Sequence, residues 1–326
     1  MPVARRSAAA AVCALALAAC ASPSASPSAP PSVAVGAPER AEITVGTLPI
    51  VDVAPIHIAI DEGLFAAEGL TVTVEVTQGG AAAIPALVGG DLDIAYGAWP
   101  SFLIANAQGL ELRAVADGTA ARPGFTQLLA MPGSALEGNP AGLAGARIAV
   151  NTLGNLGELA VRSALVEAGL EADAAELVEI PFPAMEAALE RGDVDVIWAS
   201  EPVATLARET LGAVLVIDSY VGAMEGFPVA GYQASAEFVA ANPRTVAAFQ
   251  RALAAAVARI AEDPELVRGI APDFTGLEPA LASQVSLPDF RARLDATDLR
   301  RVHDYLLDFG LLESELDVEA LVVPWD

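Results

Sequence analysis

One stretch occurs twice in this chain, as LVGGDLDIAYGAWP at Leu87–Pro100 and as LERGDVDVIWASEP at Leu189–Pro202. Aligned, the copies match Gly90 with Gly192, Asp91 and Asp93 with Asp193 and Asp195, Tyr96 with Trp198, and Pro100 with Pro202. The offset from Gly90 to Gly192 is 102 residues, far beyond any solenoid period. What precedes each copy agrees as well. Ile43–Thr47 (ITVGT) and Ile148–Thr152 (IAVNT) are short apolar runs ending in small or polar residues, as buried strands entering a loop should. Each is followed by a helix-like segment closed by Glu68-Gly69-Leu70 or Ala168-Gly169-Leu170, then by a second apolar run, Val72–Val76 or Leu177–Ile180. A further helix ends at Gly90 or Gly192, where glycine can take the left-handed conformation. The repeated unit is therefore strand, helix, strand, helix, strand, and two such units predict two similar α/β lobes.

Residues 1–19 read as a lipoprotein signal peptide rather than as part of the fold. Arg5 and Arg6 precede the apolar run Ala8–Leu17, and Leu17-Ala18-Ala19-Cys20 has the small-residue pattern of a cleavage site. The run is shorter than the roughly 20 apolar residues a membrane span needs. The ending resembles a bacterial lipobox, which implies that Cys20 is lipidated and anchors the chain to the outer face of the cell membrane. An ordinary secretory signal with an incidental cysteine is the alternative. Residues 20–40 form a Ser/Pro/Ala-rich tether with no pattern for a core.

Composition narrows the chemistry. The only cysteines are Cys13 and Cys20, so the processed chain keeps no thiol for a disulfide or a nucleophile. All 17 basic residues are Arg, which excludes lysine Schiff-base and pyridoxal-phosphate reactions. His57 and His303 are the only histidines, too few and too far apart for a multi-His metal site. A formal charge of −25 argues against nucleic acid as a partner. No catalytic residue, metal or cofactor is expected, and the protein is expected to act as a monomer.

Along the chain, Ile43–Thr47 is expected as the first strand and Leu48–Asp52 as its exit loop. A helix follows from Pro55, carrying His57, which reads best as a packing or surface residue. Thr77-Gln78-Gly79-Gly80 forms a turn, and Leu112–Ala116 is a strand broken by Asp117-Gly118-Thr119. Small residues and prolines near Gly118–Gly124 mark a crossing between lobes, and Val221–Phe227 the return. Asn151–Asn155 is a polar exit loop, and Pro181-Phe182-Pro183 holds an aromatic in place. Asn242-Pro243 opens a long helix to about Ala261, after which the chain is helical and acidic. Residues 41–122 with 226–326 are expected to form one lobe, and 123–225 the other.

Ligands of open parallel sheets bind beyond the carboxyl ends of the strands. Asp91, Asp93, Asp193 and Asp195 stand at the opposite, amino ends and read as caps and solvated strand entrances. The candidate ligand-binding residues are Asp52, Gln78, Gly79, Trp99, Asn151, Thr152, Asn155, Phe182, Trp198 and Glu201. Aromatic walls with amides and one or two carboxylates suit a flat, partly apolar ligand bearing hydrogen-bond donors or positive charge.

Pro55-Ile56-His57-Ile58-Ala59, Glu62-Gly63-Leu64-Phe65, Gly90-Asp91-Leu92-Asp93-Ile94 and Trp198-Ala199-Ser200-Glu201-Pro202, with Phe227-Pro228 and Asn242-Pro243, resemble a family of periplasmic binding proteins. That family serves importers of nitrate, sulfonates, taurine and thiamine precursors. The resemblance runs from about Ile43 to the end. It implies a type II periplasmic-binding-protein fold: two βαβ lobes, two crossing segments and a ligand cleft between them. It further implies delivery of a small ligand to the permease and ATPase subunits of an ABC importer. His57 departs from the family pattern, which usually has an aromatic residue there.

Anion binders should present arginine or several N–H donors, and no Arg falls in the expected loops apart from Arg122 near the crossing. Acidic and aromatic loop residues favour a neutral or cationic heteroaromatic ligand, such as a thiamine-precursor pyrimidine. An alkanesulfonate, taurine or nitrate ligand is the alternative, since backbone amides at helix starts also bind anions. Relatives that make the thiamine pyrimidine use, as the resemblance has it, a pyridoxal-linked lysine and a cysteine-rich motif, and neither is present. A ligand-sensing lipoprotein is the third reading.

Overall fold

The computed structural model describes residues 36–325, so the signal segment and Cys20 lie outside the described residues. Within them, residues 37–325 hold two sheets. The first sheet contains β1 (Glu42–Thr47), β2 (Thr71–Val76), β3 (Ile94–Ala98) and β4 (Leu112–Ala120). The second is built from β5 (Gln127–Ala130), β6 (Arg147–Val150), β7 (Glu176–Glu179), β8 (Val196–Ala199) and β9 (Val214–Asp218). The chain then returns to the first sheet with β10 (Pro228–Ser235) and the short β11 (Asp289–Phe290).

The strand orders, 11-4-10-3-1-2 and 7-6-8-5-9, show the duplication in space. In each sheet three parallel strands, β2-β1-β3 or β7-β6-β8, are extended by one antiparallel strand from the far side of a crossing, β10 or β5. Val45 pairs with Ile94, and Ile148 pairs with Val196. Gly90 (φ 81°) and Gly192 (φ 72°) close the equivalent helices Gly80–Gly89 and Phe182–Arg191 in the left-handed conformation. A β-carbon at either position would be strained whatever the space around it.

The repeated Asp-x-Asp has an unequal division of work. Asp93 is buried, accepting Thr44 N–H at 2.9 Å and Arg40 Nη1 at 2.6 Å. Asp195 accepts Arg147 N–H at 2.9 Å and the Arg147 guanidinium at 2.9 and 3.2 Å. Each therefore ties the entrance of its own strand to the neighbouring strand's start, while Asp91 and Asp193 are exposed. Asp93→Ala is expected to destabilise the protein by about 2 kcal/mol, because a backbone N–H loses a charged acceptor. Asp91→Ala should stay within about 0.5 kcal/mol of wild type in urea unfolding.

The structure departs from the sequence reading at β4, which runs unbroken through Asp117-Gly118-Thr119. The reason is tertiary: β10 pairs along its whole length, accommodating register shifts, and β11 pairs with Thr119 and Ala120. Asp117 is consequently buried within a sheet, and burial pushes its carboxyl up to about 7. The long helix runs Pro243–Glu262, and helices Glu265–Thr275 and Ala296–Asp308 follow. His57 stacks on Phe274 with ring centroids 4.1 Å apart, so it fills the packing position that an aromatic residue would. Among the described residues, no helix is long and apolar enough to cross a membrane. No group of three or more His, Cys, Asp or Glu there could hold a metal ion.

Candidate functional site

The carboxyl ends of both parallel strand sets meet the crossing segments at one small cavity of about 50 Å³. The crossings run side by side, joined by Ala121 N–H to Phe227 O at 2.7 Å and Ser219 N–H to Thr126 O at 3.1 Å. Asp218, at the end of β9, fixes their geometry by accepting N–H groups from Tyr220 and Gly124. This presents Phe125, Thr126 and Tyr220 to the cavity.

The first-sheet wall centres on Asp52, delivered by the loop after β1 and only 3 % exposed. Its Oδ1 lies 3.2 Å from Thr119 Oγ1 and 3.3 Å from the Tyr96 hydroxyl, whereas Oδ2 is buried with no partner. Desolvation raises the Asp52 carboxyl to about 7, against the lowering effect of its backbone, Thr119 and Tyr96 hydrogen bonds. Burial also pushes the Tyr96 hydroxyl up, keeping it protonated. A close backbone contact brings the start of helix Gly80–Gly89 to this wall. A β-carbon on Gly80 would lie 2.5 Å from Gly97 Cα, so only glycine permits it.

The second-sheet wall is aromatic and amide-lined. Trp198, on β8, stacks on Phe182 at 5.8 Å between centroids, and its indole lies against Gly157, where a β-carbon would approach within 3.0 Å. Asn155 stands at the N-cap of helix Leu156–Glu167 and makes no side-chain capping bond. Asn151 and Ser200 complete this wall, and among the described residues Asp52 is the only charged one lining the cavity.

Of the ten sequence candidates, Asp52, Asn151, Asn155, Phe182 and Trp198 line the cavity together. Gly79 and Thr152 face each other at its edge, a Gly79 β-carbon falling 3.4 Å from Thr152 Oγ1, with Gln78 exposed beside them. Trp99 and Glu201 are not in the wall. Trp99 is the first residue of helix Trp99–Ala107, fully buried, edge-on to Phe102 and packed beneath Gly231. Glu201 is also fully buried, and its carboxylate is already engaged. Thr205 N–H donates to Oε2 at 3.0 Å, while Arg208 Nη2 and Ser286 N–H donate to Oε1 at 3.1 and 3.3 Å. The Glu201 carbonyl also accepts Val51 N–H at 3.5 Å, so this residue links the exit of β8 in the second sheet to the loop after β1 in the first. Tyr96, Thr126, Ser200 and Tyr220 were not among the candidates. The repeat carried a signal for Tyr96, which aligns with Trp198.

The NMT1-like family model matches residues 36–272, and the chain belongs to that family. No curated protein sequence matches it significantly. Among solved structures, the chain is similar to the alkanesulfonate-binding protein SsuA from Xanthomonas axonopodis pv. citri bound to MOPS. That match has 20% identity and a TM-score of 0.75 over 87% of this chain and 99% of that one. It is also similar to the periplasmic nitrate-binding protein NrtA from Synechocystis PCC 6803, at 16% identity and TM-score 0.74 over 87% and 86% of the two chains. The periplasmic aliphatic sulphonate binding protein SsuA from Escherichia coli gives 17% identity and TM-score 0.70 over 86% and 97%. The fold is thus that of the periplasmic binding proteins, as the sequence resemblance implied.

Proposed function

We propose that this chain is an extracytoplasmic solute-binding protein, held to the membrane through Cys20, that closes on one small ligand and delivers it to an ABC permease and its ATPase. In this reading residues 41–122 with 226–326 form one lobe and 123–225 the other, turning about the paired crossings. It acts by binding and carries no catalysis of its own. The ligand is a flat heteroaromatic with hydrogen-bond donors, such as a thiamine-precursor aminopyrimidine. The unpartnered Asp52 Oδ2 in an aromatic cavity carries this reading, because a buried carboxylate oxygen costs free energy until a donor or cation meets it.

An oxyanion ligand is the second reading, favoured by the helix starts at Gly80, Leu156 and Phe182 that line the same cavity. A thermal-shift screen separates the two. An aminopyrimidine at 100 times its Kd should stabilise the protein by about 2.7 kcal/mol, and Asp52→Asn should cut this to roughly 0.4–1.4 kcal/mol at the same ligand concentration. Stabilisation by nitrate or an alkanesulfonate alone would favour the oxyanion instead.

A further inference from the structure

The cavity's two walls ask for opposite things. From the first-sheet side comes one carboxylate, Asp52, with Oδ2 unpartnered. From the second-sheet side come donors. The Trp198 indole Nε1–H is buried without an acceptor. The 12-residue helix Leu156–Glu167 starts at the same wall, and its first-turn N–H groups and dipole favour negative charge. The acidic residue in this turn, Glu158, is occupied elsewhere, accepting Gly154 N–H at 2.8 Å and the Arg162 guanidinium at 2.8 and 2.9 Å.

A simple anion would satisfy the donors but share a desolvated cavity with Asp52. A simple cation would satisfy Asp52 and leave the indole N–H and the helix start unpaired. We propose that the cleft takes a bipolar ligand, a flat ring with a cationic or amino nitrogen against Asp52 and an oxyanion at the opposite edge held by Trp198 Nε1–H and the start of helix Leu156–Glu167. This rests on the reading of the cleft as a ligand site and adds the second pole to it. A cationic nitrogen there also returns Asp52 to its ionised state, which desolvation alone opposes.

Three ring probes that differ only in their poles test it at pH 8 by calorimetric titration: benzylammonium, benzenesulfonate and 4-(aminomethyl)benzenesulfonate. The bipolar probe should bind at least roughly tenfold tighter than either single-pole probe, the worth of one charge-assisted hydrogen bond. Asp52→Asn should reduce it to the affinity of benzenesulfonate. Trp198→Phe, which keeps an aromatic wall and loses the N–H, should reduce it toward benzylammonium. Unfolding curves of both variants establish that they fold. Equal binding of benzylammonium and the bipolar probe, unmoved by Trp198→Phe, overturns the oxyanion pole. Binding of an aminopyrimidine with no binding of the bipolar probe overturns this inference and leaves the proposed function standing. Failure of every probe, the aminopyrimidine included, overturns both.

Discussion

Asp52→Asn is expected to stabilise the ligand-free protein at pH 8 while weakening its hold on ligand. The stabilisation follows from linkage. In the unfolded chain this carboxyl loses its proton near its ordinary value of 3.8, whereas burial keeps it protonated in the folded protein to about pH 7. Between those values the folded state binds more protons. Its stability contribution is therefore fully present below pH 3.8, falls as pH rises, and is gone above about 7. Over the roughly three-unit window the loss reaches up to about 4 kcal/mol. Asn is neutral throughout and close in shape, with an oxygen to accept from Thr119 and Tyr96. It should remove this slope, and at pH 8 leave the variant more stable than wild type. Asp117, also raised to about 7 by burial, supplies a slope of the same sign that persists in the variant. Urea unfolding of both proteins at pH 5 and pH 8 checks the sign. A variant no more stable than wild type at pH 8 would show that Asp52 is better compensated than its unpartnered Oδ2 indicates. Binding moves the other way, since loss of the charged acceptor should weaken a donor-bearing ligand by about 10- to 100-fold.

How far the sequence led depended on the distance over which each feature is decided. The duplicated unit predicted both strand sets, because a βαβ pattern is written in local periodicity and the Gly90 and Gly192 helix ends need only their own backbone. Asp52, Asn151, Asn155, Phe182 and Trp198 follow from one rule about the carboxyl ends of strands. Trp99 fails that rule by a single step. Strand β3 ends at Ala98, and residue 99 turns into the next helix and packs under the sheet instead of facing the cleft. Tyr96, within β3, takes the cavity position that Trp198 takes in the second sheet. Thr126 and Tyr220 sit in crossings that have no periodicity to read, and they reach the site only because two distant segments hydrogen-bond to each other. Asp117-Gly118 looks like a strand break locally and is overruled by pairing with β10. At Asp117, Thr126 and Tyr220 the deciding contact lies outside the local window.

Glu201→Ala should be the most damaging single substitution of a charged residue among the sequence candidates. A carboxylate directly after a strand reads as a ligand contact, yet here three donors already claim it, one of them from Ser286, 85 residues away. Removing a fully buried carboxylate that holds an arginine and two backbone N–H groups should cost about 3–5 kcal/mol. Arg208, about a third exposed, can turn to water, which places the expectation toward the lower end of that range. Thr205 N–H and Ser286 N–H have no such freedom while the lobes stay together. Glu201→Gln keeps one acceptor oxygen for them and should lose about half as much. Because Ser286 belongs, in the proposed division, to the lobe facing Glu201, losing its carboxylate acceptor should also loosen the lobes, although the backbone bond from Val51 N–H remains. Small-angle scattering should then show a larger radius of gyration for the folded Ala variant than for wild type. A loss under about 1 kcal/mol with an unchanged radius would mean that Glu201 is neither a core acceptor nor a link between lobes. Trp198→Ala gives the contrast. Its indole faces the cavity and stacks on Phe182, so it should abolish ligand binding without opening the lobes. The division of labour between two residues three positions apart on one strand exit is then directly measurable: Trp198 reads the ligand, and Glu201 holds together the walls that enclose it.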